Sequence, residues 1–122
     1  MKIEKVNVKE RLSRFGEYWS PKIVGELNGQ HVKLVKAKGA FDWHKHDDED
    51  ELFYVVRGAF LMELEHETIP VQEGELIIIP KGTLHRPVAH EEVHIMLFEP
   101  IATLNTGDNS NSELTRENQA WI

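Results

Sequence analysis

The chain has 122 residues, of which 40% are hydrophobic and 29% charged, a balance typical of one globular domain. No apolar run is long enough to span a bilayer and no signal peptide is visible, so we expect a cytoplasmic protein. The absence of cysteine excludes disulfides, thiolate ligands and a cysteine nucleophile. A net charge of −7 argues against nucleic acid or an anionic membrane as the main partner.

The first third of the chain changes from an ambiguous segment to strands. Residues 8–15 predict either a short helical turn or an edge strand. Residues 21–27 and 31–36 predict two strands that flank Asn28-Gly29, which is the strongest short signal for a β-hairpin. This region is therefore expected to open an antiparallel sheet.

The middle of the chain continues with short apolar or alternating segments separated by glycine and proline turns. Short strands of this kind indicate an antiparallel sandwich or barrel, not alternating strands and helices. The predicted barrel core covers about residues 20–99, and its remaining strands are 52–56, 60–64, 68–71, 76–79, 85–88 and 93–98.

Residues 100–122 form a polar C-terminal tail. Residues 105–112 are rich in turn-forming residues and predict a mobile loop. The tail ends in Trp121-Ile122, and an apolar end after a polar linker is expected to pack either on its own barrel or on a neighbouring subunit.

The residues with the clearest chemistry are three histidines and one glutamate. In an extended segment, His44 and His46 point their rings to the same side because side chains alternate along a strand. Glu51 begins an apolar run, where a buried carboxylate is costly unless it is paired or coordinated. His85 follows a predicted strand and a Pro/Gly turn. Imidazole and carboxylate groups together are a plausible set of ligands for a divalent transition metal.

Two spaced motifs contain these four residues. In the first, Gly39 precedes His44, a single residue separates His44 from His46, four residues precede Glu51, and six more precede Gly58. A lone His-x-His pair would be weak evidence, but here the flanking glycines and the glutamate occur in order.

The second motif runs from Gly74 through Pro80 and Gly82 to His85. Together the two motifs resemble those of the cupin superfamily, with two departures. Gly39 lies one residue closer to the first histidine than is usual in the family, and the asparagine that ends the second motif is replaced by Ala89. Neither departure removes a metal ligand.

The resemblance is to small, single-domain bacterial cupins of type 2, loosely grouped with mannose-6-phosphate isomerase-like proteins. It implies an all-β fold, the double-stranded β-helix or jelly-roll barrel, with short N- and C-terminal extensions. It also implies that His44, His46, Glu51 and His85 bind one divalent metal inside the barrel: iron, manganese, zinc or nickel. Dimers are frequent in the family, so we expect a homodimer, with the apolar first and last segments as candidate interfaces.

Four apolar residues are candidates for the wall of the cavity. Phe53 and Val55 share parity with Glu51 along the strand and should face the barrel interior. Phe60 and Met62 share one face of the next strand. Each is either a simple core residue or part of a cavity for a small substrate. The sequence identifies no catalytic acid or base beyond the metal site.

Three functions remain open on the sequence alone. The first is a metal-dependent enzyme, of dioxygenase, isomerase or lyase type, acting on a small organic molecule. The second is a non-catalytic binding protein in which the metal anchors a ligand or stabilises the fold. The third is a metal-free barrel that binds a partner. Within the acidic run at 47–51, residues 48–50 predict a solvated loop, and the negative potential of the run favours uptake of cations near the site.

Overall fold

A computed structural model describes residues 2–122 as one antiparallel β-barrel with a short N-terminal helix. Among these residues, no helix has the length and apolar character needed to cross a membrane. The elements are α1 (Val8–Leu12), β1 (Lys22–Leu27), β2 (Gln30–Ala40), β3 (Glu51–Arg57), β4 (Ala59–Leu64), β5 (Thr68–Gln72), β6 (Leu76–Ile79) and β7 (His85–Pro100).

The strands form the jelly-roll barrel that the resemblance implied. Hydrogen-bonded neighbours follow the order β1-β2-β7-β3-β6, and β4 pairs with both β5 and β7. The predicted hairpin between β1 and β2 is confirmed: Asn28 and Gly29 both have positive φ, 50° and 74°, the backbone of a tight turn whose twist matches that of the strands.

The two strands predicted at 85–88 and 93–98 are parts of one strand, β7. No glycine or proline turn separates the two halves, so the backbone stays extended. The pairing with β2 shifts between Ala37, which faces Val93, and Gly39, which faces Ala89, so β7 has two more residues than β2 across this interval. Such a bulge bends a strand. Pairing resumes beyond it as far as a bridge between His44 and His85.

The N-terminal segment forms the helical turn rather than the edge strand. The Asn7 side chain caps α1 by accepting a hydrogen bond from the Glu10 amide, at 3.0 Å. Leu12 and Phe15 then pack on the outer face of the sheet with Val24 and Leu34. This outer apolar cluster is separate from the apolar cluster that fills the barrel interior, and it contains none of the four predicted metal ligands.

The barrel interior is filled by an apolar cluster from β2 to β7. Among its members are Val55, Met62 and Val93, none of which is measurably exposed. Gly58 closes this part of the barrel with φ 89°, and a side chain there would meet the Glu92 carbonyl oxygen at 3.0 Å. The glycine that ends the first motif is therefore required by backbone conformation and by close packing.

Residues 101–116, which we call the C-terminal strap, pack against the barrel, whereas the sequence predicted a mobile loop over much of this stretch. Thr103, Asn105 and Thr106 are buried. The Asn105 side chain donates to the Leu114 carbonyl at 2.9 Å and accepts from the Arg116 amide at 2.8 Å. These bonds satisfy the Asn105 side chain and two backbone groups of the strap, which offsets the cost of burying them.

Residues 121–122, at the end of the chain, pack against the barrel. The Ile122 amide donates to the Ile23 carbonyl at 3.0 Å, and Ile122 packs against the outer apolar cluster. The Trp121 ring meets the edge of the buried His31 ring. Of the two packing partners expected for this apolar end, the structure shows its own barrel.

Candidate metal centre

Three different segments bring the four predicted ligands to one place. His44 and His46 lie between β2 and β3, Glu51 is the first residue of β3, and His85 is the first residue of β7. Backbone hydrogen bonds between His44 and His85, at 2.9 and 3.1 Å, tie the first motif to the second. All four side chains are buried, with relative exposures between 0 and 4%.

Backbone carbonyls orient two of the imidazole rings. His44 Nδ1 lies 2.8 Å from the Asp42 carbonyl oxygen, and His85 Nδ1 lies 2.8 Å from the Thr83 carbonyl oxygen. A carbonyl oxygen only accepts, so each Nδ1 carries the hydrogen and each Nε2 presents a lone pair. Histidine ligands of metals are commonly fixed in this way through their second nitrogen.

The atoms available for coordination converge. Glu51 Oε1 lies 3.2 Å from His46 Nε2 and 3.6 Å from His85 Nε2. One ligand atom from each of the four residues lies within 4.8 Å of all the others. Two ligands about 2.1 Å from a single ion are at most about 4.2 Å apart, so shifts of a few tenths of an ångström would complete the shell.

The same atoms lack partners within residues 2–122. His46 Nε2, Glu51 Oε1 and His85 Nε2 are buried and find no hydrogen bond there. Buried polar atoms are normally satisfied, and three orphans facing one another need an explanation. A divalent cation would satisfy all three at once, so the residues present fit a transition metal.

Burial acts on the histidines in different ways. It lowers the pKa of His44 to about 4, helped by the neighbouring His85, so this ring is neutral at physiological pH. Burial also acts to lower the pKa of His46, but the close contact with Glu51 and the charge of that carboxylate outweigh it and leave the pKa raised. Protons thus compete with a metal at higher pH on His46 than on His44.

Two charged residues that the sequence reading missed lie beside Glu51. Lys33 and Glu99 are 1% and 0% exposed, and Lys33 Nζ lies 2.8 Å from Glu99 Oε1. Burial raises the pKa of Glu99 well above its usual value, and the negative Glu51 raises it further. Burial opposes ionisation of Glu51 as well, but its close contacts with Glu99, His46 and His85 hold its pKa well below the usual value.

A signal for this pair was present in the sequence. Glu99 has the parity of Ile95 and Leu97, which face the interior from β7, and Lys33 has the parity of Val35 on β2. The apolar residues of β2 and β7 therefore define the inward face on which both charges stand.

A small cavity of about 40 Å³ adjoins the ligands. His44 and Glu51 lie on its wall, which is otherwise mostly apolar and includes the predicted residue Phe53. The other three predicted cavity residues, Val55, Phe60 and Met62, pack in the interior apolar cluster next to it. Their part in binding a substrate stays a prediction.

The C-terminal strap covers the segment that carries the first two histidines. Asn105 reaches the wall of the cavity. Gly107, with φ 55°, packs so closely that a side chain there would stand 2.2 Å from the Lys45 carbonyl oxygen. The Asp108 amide donates to that carbonyl at 2.9 Å, and Asp108 Oδ1 accepts from the Lys45 amide at 2.9 Å. The strap is therefore fastened to the backbone between the two ligands.

A jelly-roll barrel with three histidines and a glutamate converging in its interior defines a class of β-barrel that binds a metal. The chain belongs to the cupin family: residues 31–99 match the family model described as the cupin domain. That match, together with the cluster of His44, His46, Glu51 and His85, makes this a metal-binding cupin.

Three relatives show the range of the similarity. A crystal structure of a cupin-2 domain containing protein from Shewanella frigidimarina NCIMB 400 is 42% identical, covers 78% of this chain and 93% of that one, and has a TM-score of 0.77. The uncharacterized protein YdbB of Bacillus subtilis strain 168 is 38% identical over 80 residues, which are 65% of each chain. The 3-hydroxyanthranilate 3,4-dioxygenase 2 of Aspergillus fumigatus is 32% identical over 80 residues, 61% of this chain and 42% of the enzyme. This chain thus spans less than two thirds of the two curated relatives.

Proposed function

We propose that this cupin is a metal-dependent enzyme that acts on a small organic molecule, with dioxygenase chemistry as the first candidate and isomerase or lyase chemistry next. The observation that carries the proposal is the group of buried, unpartnered ligand atoms beside an apolar cavity. The similarity to an enzyme named as a dioxygenase supports the order of the candidates.

The chain's own residues would make three contributions to the site: the metal ligands, an apolar wall and the amide of Asn105. His44, His46, Glu51 and His85 would hold the ion, and four protein ligands leave one or two positions open in a five- or six-coordinate shell. When bound, an iron(II) ion would supply binding of dioxygen, and another divalent metal would supply Lewis-acid polarisation of a carbonyl.

The remaining contributions come from the walls. Phe53 and its apolar neighbours exclude water from the cavity, which strengthens each electrostatic contact inside it. Asn105 contributes the amide on this wall. The small volume and the apolar lining favour a compact substrate with few charged groups.

A non-catalytic cupin is the second candidate, and the small cavity favours it. With a volume of about 40 Å³, the cavity beside the ligands has room for little more than a water molecule. In that case the metal would anchor a small ligand or stabilise the barrel.

Elemental analysis of the purified protein tests the proposal first. We expect about one equivalent of a transition metal per chain, and at least about a tenfold loss in His85→Ala. His90→Ala is the matched control, because His90 lies on the same strand but is exposed. Less than about a tenth of an equivalent in protein made in metal-replete medium would contradict both the enzyme and the binding reading.

Oxygen uptake then separates the two candidates. Iron-loaded protein is offered small aromatic, thiol and diketone compounds, with His85→Ala as the blank. Uptake that depends on both the compound and His85 supports the dioxygenase. Metal without turnover of any compound, together with coordination that admits no exogenous ligand such as azide, supports the non-catalytic reading.

A further inference from the structure

Three charged side chains form a row across the inner face of the barrel. Lys33 stands on β2, Glu99 on the neighbouring β7, and Glu51 on β3 at the other side of β7. All three are at most 3% exposed. Lys33 and Glu99 are not among the four candidate metal ligands.

The register of the strands places Glu99 against Glu51. Leu52 pairs with Phe98, so the next position of the antiparallel ladder sets Glu51 opposite Glu99. Residues directly opposite have Cβ atoms about 4.5–5.5 Å apart, and like charges there are destabilising. On the other side, Lys33 Nζ donates to Glu99 Oε1 at 2.8 Å.

The Glu99 carboxyl therefore has one oxygen committed to Lys33 and another available to Glu51. Glu99 Oε2 finds no hydrogen-bond partner in residues 2–122. The negative Glu51 lies close enough to raise the pKa of Glu99. The row of charges that starts at Lys33 therefore extends through Glu99 to the carboxylate that faces His46 and His85.

Stability alone gives no reason for this pair. Removing each ion from water costs several kcal/mol, and replacing a buried ion pair by well-packed apolar residues is often neutral or stabilising. The adjacent inward positions, Val35 on β2 and Leu97 on β7, are apolar. The Lys33–Glu99 pair is therefore better explained by a function, and the functional residue beside it is Glu51.

Glu51 is the ligand that most needs such support. The rings of His44 and His85 are oriented by carbonyls of their own segments, at Asp42 and Thr83. Glu51 has a longer and more flexible side chain, and its other close polar neighbours in the described part of the chain are the candidate ligands His46 and His85. Groups that orient a ligand commonly change metal affinity about 10- to 100-fold when they are removed.

We propose that Glu99, anchored by Lys33, is a positioning residue that directs the Glu51 carboxylate toward the bound metal. The inference rests on the metal site of the proposed function, and it adds an outer layer of contacts that neither cupin motif contains. Glu99 does not coordinate the ion and is not a catalytic residue in this assignment.

Titration with Co²⁺ tests the assignment, because its visible absorption reports the geometry of the ligands as well as binding. The double variant Lys33→Met/Glu99→Leu removes both charges together and leaves no unpaired ion in the interior. We expect it to fold, with affinity for Co²⁺ lower by about 10- to 100-fold and an altered visible spectrum.

Two further variants make the result specific. Glu99→Gln can still accept from Lys33 through its carbonyl oxygen and donate an N–H to Glu51, so it should restore the spectrum and most of the affinity. Glu63→Leu/Arg86→Met removes a half-buried ion pair that likewise joins β7 to its neighbour, at 2.6 Å, but faces away from the ligands; it should bind Co²⁺ like the wild type.

Wild-type affinity and spectrum in the double variant would overturn the assignment, and so would Glu99→Gln behaving like the double variant. Failure of the proposed function looks different: the wild type itself would then bind no Co²⁺. If the double variant does not fold, Glu99→Gln is compared with Lys33→Met/Glu99→Gln, because the amide can reach Glu51 in both but loses its anchor at position 33 only in the second. Equal affinities and spectra in these two variants overturn the proposal, and a lower affinity with an altered spectrum in the second supports it.

Discussion

The two halves of the barrel interior use the same strands for opposite purposes. Around Val55 and Val93, the inward positions are apolar and pack without measurable exposure. At the start of β3 and at the two ends of β7, the inward positions are Glu51, His85 and Glu99, which are just as buried but charged or polar. The comparison teaches that the apolar half can hold the fold while the polar half is free to hold a ligand.

The apolar half should control stability, and Phe60→Ala tests this most strongly. Phe60 is 3% exposed in the interior cluster, and truncation of such a residue costs about 3–5 kcal/mol. We expect the free energy of unfolding in urea to fall by this amount, while the folded fraction keeps its affinity for Co²⁺. Leu61→Ala, at the half-buried neighbouring position on the other face, is the control. A similar loss of affinity in Phe60→Ala would remove the distinction between the halves.

The polar half should control the response to acid. Burial lowers the pKa of His44 from 6.5 to about 4. Below pH 6.5 this ring is therefore protonated in the unfolded chain, whereas in the folded chain it stays neutral until the pH approaches 4. Stability is therefore fully present above pH 6.5 and is lost as pH falls, by about 2 kcal/mol at pH 5 in the metal-free protein. Urea unfolding at pH 7 and pH 5 measures this change. In the metal-loaded protein, the same acidification should also release the ion and lower the melting temperature.

Two substitutions separate the histidines in this experiment. His44→Gln should flatten the loss between pH 7 and pH 5. His46 has a raised pKa, so its contribution is present below pH 6.5 and is lost as pH rises through the folded value; His46→Gln should therefore make the acid loss steeper. An identical pH response in both variants would show that these rings are not the groups that titrate.

The smallest expected effect concerns the cover over the polar half. Asp108→Ala removes the side-chain hydrogen bond to the Lys45 amide, which is worth about 0.5–1.5 kcal/mol. We expect little change in global stability but faster removal of the metal by a chelator, because the strap opens more often. Asp47→Ala is the matched control, since it removes an exposed carboxylate close to Lys45 without touching the strap. Equal release rates in the two variants would mean that charge, not the strap, governs release.

The sequence predicted which four side chains would cluster because their spacing reflects local geometry. His44 and His46 follow from alternation in an extended segment, and Gly58 from a turn that no side chain would fit. Glu51 and His85 stand at strand ends that apolar runs and turns mark clearly. Each of these signals lies within a few residues of the position that it predicts.

The features that the sequence reading missed depend on distant parts of the chain. The contact between Lys33 and Glu99 joins residues 66 positions apart, and that between Lys45 and Asp108 joins residues 63 apart. The strap looked like a mobile loop because its asparagines and threonines are also typical of turns. Burial of Asn105 and Thr106 depends on the folded strap, in which Asn105 bonds to Leu114 and Thr106 to Thr115, and on the barrel beneath it.

The paired amides of His44 and His85 make formation of the site depend on closure of a long loop. Each amide donates to the other residue's carbonyl, at 3.1 and 2.9 Å, across a gap of 41 residues in the sequence. Neither bond can exist until the chain has closed the intervening loop, an entropic cost that precedes any gain from the contact. Hydrogen exchange at these two amides would therefore follow closure of the barrel, and an ion bound between their rings would slow their exchange together.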